Sequence, residues 1–230
     1  MHMLKEFCAE NMELVPAAVR AGTSRIELCD NLSAGGTSPS YGVIRHAVHF
    51  AREKNVGVMA MCRPRGGDFV YRDHEREMLI DDVRCARSLG ATGVVFGCLK
   101  PIAGGGLTLD MELVRRLVEE AKGRGRGMAV GCEPVQVTFH MAFDALDSAG
   151  QPQAINALTQ LGVERVLTHG GSLATPIEQN LAHLRDLVSY ASDRIIILPG
   201  GGITWKNAES IAATLGVCEV HGTRVVRLER

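Results

Sequence analysis

Near the start of the chain, a glutamate followed two residues later by a cysteine occurs twice, as Glu6 with Cys8 and Glu27 with Cys29. On an extended strand, side chains two apart face the same way, so each pair shares a face and neighbouring strands bring all four groups together. Two thiols at adjacent strand ends could bridge one soft ion, Cu(I) or zinc, because thiolates prefer soft metals. The competing reading treats each buried cysteine as a small apolar filler. Carboxylates inside a fold need cationic partners, and Arg63 and Arg65 are expected to supply them. Whether that cluster is a structural ion-pair network or a functional one stays open at this level.

A second group of candidates follows later strands. His140 with Asp144 has the spacing of a base and its orienting acid across a strand-to-helix turn, with a structural hydrogen bond as the alternative. Together with Glu27 and Arg63 they are the candidates for catalytic roles. Gly200, Gly201 and Gly202 precede a helix expected near Thr204, and Gly222 follows the last strand. Glycine loops at a helix start can cradle a phosphate or other anion, with Arg65 as a further contact and a tight turn as the plain alternative. The sixth strand, Arg165-Val166-Leu167-Thr168, carries no lysine for Schiff-base chemistry. There is no HExxH or CxxC spacing.

These residues need elements to position them. Strand-like runs lie at 4–8, 25–29, 56–62, 93–97, 135–140, 165–168, 194–198 and 219–222. Helical patterns fill the gaps at 12–21, 42–54, 74–89, 111–122, 153–161, 177–191 and 206–215. Strict alternation means a parallel sheet, and eight strands favour closure into a TIM-type (β/α)8 barrel over residues 1–230 as one domain. A doubly wound open sheet is the competitor, but no GxGxxG follows the first strand. Only 223–230 follow the last strand, so the last helix is missing or truncated. The apolar strip this leaves is expected to be buried in a homo-oligomer. In a barrel the site lies at the C-terminal ends of the strands, which is where Cys29, His140, His169 and His221 fall. The Gly/Arg-rich run at 122–134 lies at the opposite end and reads as a surface loop.

Composition narrows the function classes. Lys plus Arg is 25 and Asp plus Glu is 26, for a net charge of −1. That balance argues against nucleic acid or an anionic membrane as the main partner. No apolar run approaches a membrane span or a signal peptide. Seven cysteines without close spacing are a poor disulfide framework and suit a reducing cytosol.

Seven segments, KEFCAEN, RIELCDNLSAGGTSPSYG, MCRPRGGDFVY, VTFHMAFDA, RVLTHGG, PGGGIT and VHGTRVV, occur in order from about Met3 to Val226. Together they resemble the CutC family, named for copper homeostasis. The resemblance implies a TIM-type barrel and a cytosolic protein linked to copper tolerance or trafficking. It implies Cu(I) ligands at Cys8 and Cys29, and it brings no established reaction. Many members carry an arginine after the histidine of the fifth strand, where this chain has Met141, so an anion contact expected there is missing.

Overall fold

The computed structural model describes residues 3–124 and 133–229. Its strands are β1 (Leu4–Glu10), β2 (Arg25–Cys29), β3 (Gly57–Met61), β4 (Gly93–Phe96), β5 (Leu99–Pro101), β6 (Leu107–Leu109), β7 (Gln136–Phe139), β8 (Arg165–Thr168), β9 (Ile196–Pro199) and β10 (Glu219–Gly222). The helices are α1 (Val15–Arg20), α2 (Tyr41–Arg52), α3 (Asp73–Ser88), α4 (Met111–Ala121), α5 (Gly150–Leu161), α6 (Leu181–Ala191) and α7 (Ala208–Leu215). Eight strands run parallel in the order β10-β1-β2-β3-β4-β7-β8-β9, and β9 returns beside β10. The result is a nearly closed TIM-type barrel, as the alternation of patterns predicts. Cys132 and most of the Gly/Arg-rich run lie outside the described residues.

The strands read as short continuous apolar runs because both of their faces are covered. Val94, Phe96, Val137, Phe139 and Val166 point outward and pack beneath the helices in one aliphatic shell with Leu79, Leu113, Leu117, Ile155 and Leu184. Helices keep that shell closed by burying one stripe each, as α4 does with Leu113, Val114, Leu117 and Val118. Inside the barrel the chemistry is different. A small cluster of Cys8, Cys29, Met59, Met61 and Val95 sits there, and charged groups take up much of the remaining interior.

Two features depart from the sequence reading. The loop after β4 forms an antiparallel hairpin, β5 with β6, whose turn runs through Gly104, Gly105 and Gly106, all at positive φ; such a turn suits glycine because it has no Cβ to clash. Among the described residues no helix follows β10, as expected, but the strip such a helix would cover is not left bare. Residues 223–229 fold back so that Val225 and Val226 are buried in the aliphatic shell.

Gly222 tests the packing at the end of β10. A Cβ there would collide with the carbonyl oxygen of Ile203, so this glycine is explained by close approach of two backbones. Gly222→Ala is expected to cost about 2 kcal/mol of stability, read by denaturant unfolding; a wild-type midpoint would show that the approach is not tight.

Candidate metal centre at the barrel mouth

Period-two alternation sends Glu6 and Cys8 of β1 into the barrel, with Arg25, Glu27 and Cys29 of β2 and Glu219 and His221 of β10. These residues build a chain of buried ion pairs. Arg165 Nε lies 2.7 Å from Glu219 Oε2, and Arg25 Nη2 lies 2.6 Å from the same oxygen. Arg25 Nε donates to Glu6, whose other oxygen lies 2.9 Å from His221 Nδ1. Gln136 Oε1 accepts from Arg165 Nη1 at 2.7 Å. Buried charges persist when each is paired and hydrogen-bonded, and here each charge in the chain meets its opposite.

The expected partners of the glutamates are therefore corrected. Arg63 and Arg65 do not reach Glu6 or Glu27. Arg65 binds Glu75 at 2.6 Å and Asp68 at 3.0 Å, and Arg63 donates to backbone carbonyls of Ala34, Gly35, Gly36 and Gly67. Arg65 turns outward with the loop after β3, whereas Arg63 stays buried among the carbonyls it donates to. The true partner, Arg25, was legible: the rule that places Glu27 with Cys29 also places Arg25 on that face.

Above the ion chain lies the thiol cluster. Ligand atoms of Cys8, Glu27 and His221 lie within 4.8 Å of one another. His221 Nε2 is 3.7 Å from Glu27 Oε2, and Cys29 Sγ is 3.6 Å from that oxygen. A hydrogen bond from Cys29, joined by His221 and Glu27, holds the Cys8 thiol well below its ordinary range despite burial. Cys29 moves the other way, up, because its proton is held toward Cys8 and because it is buried. Burial pushes the Glu27 carboxyl well up. Burial alone would also raise Glu6, but the hydrogen bond from His221 and the charge of Arg25 hold it down at about 2. Burial would lower His221, yet the carboxylates and Cys8 around it raise it well above its ordinary value. The result is a pair of buried sulfurs in which Cys8 is favoured to ionise before Cys29. Met59 and Met61 complete the lining with polarisable sulfur.

The other candidates fall elsewhere. Asp144 does not orient His140. It accepts from the Thr168 hydroxyl and from the backbone N–H groups of His169 and Gly170, because the chain after β7 makes a short 3-10 turn, Met141–Ala145, that aims Asp144 at the end of β8. His140 Nδ1 accepts from Ala142 N–H at 3.1 Å, and burial with the charge of Arg63 lowers the ring to about 3. The glycine loop lacks the expected helix start, since α7 begins at Ala208 and the Asn207 side chain accepts from Thr204 N–H. The carbonyls of Gly200 and Gly201 face His169 Nδ1, and that of Gly202 faces Asn207. Arg65, meant as a further anion contact, is taken up by Glu75 and Asp68.

The paired Glu6 carboxylate predicts acid behaviour. Its folded value, about 2, lies below the ordinary 4.5. Its stabilisation is therefore complete above about pH 4.5 and is lost as pH falls from there toward 2. Glu6→Gln is expected to cost about 3 kcal/mol at neutral pH and to flatten the fall in stability over that acid window. Unfolding curves measured against pH check both; an unchanged acid limb in the variant would rule Glu6 out as its source.

With this geometry in view, the chain can be set beside known proteins. The sequence profile of the CutC family matches residues 3–226. A CutC family protein of Enterococcus faecalis is 48% identical over 224 residues, covering 97% of this chain and all of the relative. The human copper homeostasis protein cutC homolog is 39% identical over 218 residues, covering 95% of this chain and 72% of its own. The crystal structure of CutC from Streptococcus agalactiae superposes with a TM-score of 0.88 at 40% identity, covering 97% of this chain and all of that one. The paired strand-end cysteines, the barrel and the match along nearly its whole length agree: the chain belongs to the CutC family.

Proposed function

We propose that this protein serves copper homeostasis by taking Cu(I) as cargo at Cys8 and Cys29. The observation that carries the reading is geometric: the buried sulfurs of Cys8 and Cys29 sit in one cluster inside the barrel, and their mutual contact favours ionisation of Cys8. Thiolate sulfur is the preferred donor for Cu(I). Binding replaces the proton shared toward Cys8: the ion takes the Cys8 thiolate and Cys29 sulfur, and the Cys29 proton leaves. A sulfur-rich lining from Met59 and Met61 suits a soft ion and offers little to a hard one.

Cys8 also belongs to a second donor set, with Glu27 and His221. Glu6 on His221 Nδ1 is the kind of carboxylate contact that fixes a ligating imidazole through its other nitrogen. That set contains one sulfur, one nitrogen and one oxygen, which suits zinc or Cu(II) better than Cu(I). The two readings share Cys8 and differ in Cys29.

In this reading the protein works in the cytosol, where thiols stay reduced; among the described residues no helix is long and apolar enough to cross a membrane. Self-association is part of the reading as well. It is supported at the corner of the absent last helix by Trp205, which stays 43% exposed beside Arg227.

Anaerobic Cu(I) titration against a competing chelator separates the donor sets. Cys8→Ser and Cys29→Ser are each expected to weaken Cu(I) binding by at least about tenfold, while Glu27→Gln leaves it near wild type. Wild-type affinity in Cys29→Ser with loss in Glu27→Gln would transfer the ion to the Cys8, Glu27 and His221 set.

A further inference from the structure

Among the described residues, five buried side-chain polar atoms have no hydrogen-bond partner: Glu27 Oε1, Arg63 Nε, Tyr71 Oη, Thr138 Oγ1 and His140 Nε2. Such atoms are costly and rarely left bare. Glu27 belongs to the thiol cluster. The other four come from β7 and from the segment after β3, two places separated in the barrel only by β4.

The intervening strand is shaped to let them meet. Gly97 follows β4, and a Cβ there would overlap the His140 ring, so the missing side chain allows the imidazole to lie across the strand end toward β3. Arg63 Cζ sits 4.9 Å from the centre of the Phe69 ring, and the His140 ring centre lies 5.1 Å from that same centre. The guanidinium also lies close enough to the Tyr71 hydroxyl to donate to it, so Tyr71 is the least bare of the four. Thr138 is two residues before His140 on β7 and shares its face.

Arg63 is the exceptional member. It is 5% exposed, and its terminal nitrogens donate to four backbone carbonyls, but among the described residues no carboxylate lies within ion-pair distance of it. Arg25 and Arg165, the buried arginines of the ion chain, each have carboxylates. A buried cation held only by carbonyls lacks the counter-charge that burial normally demands. Its free Nε–H can only donate. His140 Nδ1 accepts from Ala142 N–H, so the neutral ring carries its proton on Nε2 and donates there as well. The Tyr71 hydroxyl can accept from Arg63 and donate onward, and the Thr138 hydroxyl can do either. The two donor-only groups, Arg63 Nε and His140 Nε2, beside an uncompensated positive charge, call for a small anionic acceptor. The half-buried Phe69 ring packs against both Arg63 and His140, so a planar group taking its place would meet both.

We propose that Arg63, Tyr71, Thr138 and His140 form a binding site for a small carboxylate, with the Phe69 ring as its removable cover. The carboxylate oxygens accept from Arg63 Nε and His140 Nε2, and the two hydroxyls close the remaining positions. The Phe69 backbone is held by the Leu99 N–H, so the ring leaves by side-chain rotation to admit the ligand. This site shares no residue with the thiol cluster and stands whether or not copper binds there.

Pyruvate is the probe, with acetone as the neutral control and inorganic phosphate as the tetrahedral one. Saturation-transfer NMR and thermal unfolding are read on wild type, Phe69→Ala, Arg63→Lys and His140→Phe. Pyruvate is expected to bind wild type with affinity on the order of millimolar, about tenfold tighter in Phe69→Ala because the open state no longer competes with the cover. Arg63→Lys and His140→Phe should each weaken it about tenfold. Acetone should give no signal. If Arg63→Lys fails to fold, wild type and Phe69→Ala decide the matter alone. Absence of pyruvate binding in both would overturn the site, and tighter binding of phosphate than of pyruvate would overturn the ligand class.

Discussion

The structure depends on a line of buried charge running up the inside of the barrel. Arg165, Glu219, Arg25, Glu6 and His221 come from β8, β10, β2 and β1, so the contacts tie the first strands of the chain to the last ones. Most barrels fill this space with branched aliphatic side chains. A buried ion pair is weak evidence for added stability, since desolvation takes back most of the attraction. Its effect here is specificity of arrangement. A register shift by one residue would turn Glu6 or Arg25 outward and leave its partner buried and bare, so the pairing of β1 with β2 and β10 is fixed by chemistry as well as by backbone hydrogen bonds.

The same line of charge sets the state of the thiol above it. Glu6 holds His221 by Nδ1, which leaves Nε2 aimed at Glu27 and the cluster around Cys8. The charge of Glu27 raises His221 most, and Glu6 adds a hydrogen bond; without Glu6, His221 would lose that bond and its orientation, and with them part of the contact that lowers Cys8. The soft site is thus coupled to the barrel floor through one imidazole. These contacts lower the Cys8 thiol at a position that is 7% exposed, where burial alone would raise it.

Much of this was legible in the sequence. The eight strands and their alternation with helices emerged from short apolar runs, because strands buried on both faces leave that signature. The shared face of Glu6 with Cys8, and of Glu27 with Cys29, followed from period two. The hairpin of β5 and β6 was hidden because its strands are three residues each, too short for any periodicity. His140 with Asp144 misled because proximity in sequence says nothing about the direction a 3-10 turn imposes. Choosing Arg63 over Arg25 as the partner of the glutamates was an error of a different kind, since the strand-end arginines looked closer to the mouth while parity already pointed to Arg25.

Charge balance gives Arg63 its separate meaning. Arg165, Glu219, Arg25 and Glu6 contribute two positive and two negative charges and are neutral as a set, whatever the state of the groups above them. Arg63 stands outside that set, in contact with carbonyl dipoles that hold it in place without cancelling its charge. Carbonyls from residues 34–36 and from Gly67 draw two loops around one guanidinium, which accounts for why the arginine is retained when no anion is present. Those contacts use its two terminal nitrogens and leave Nε free, so the structural role and the capacity to bind do not compete for the same hydrogen. A residue that only pinned the loops would have no reason to keep Nε buried without a carboxylate, in a region where His140 Nε2 is also an unmatched donor and both side chains pack on the Phe69 ring.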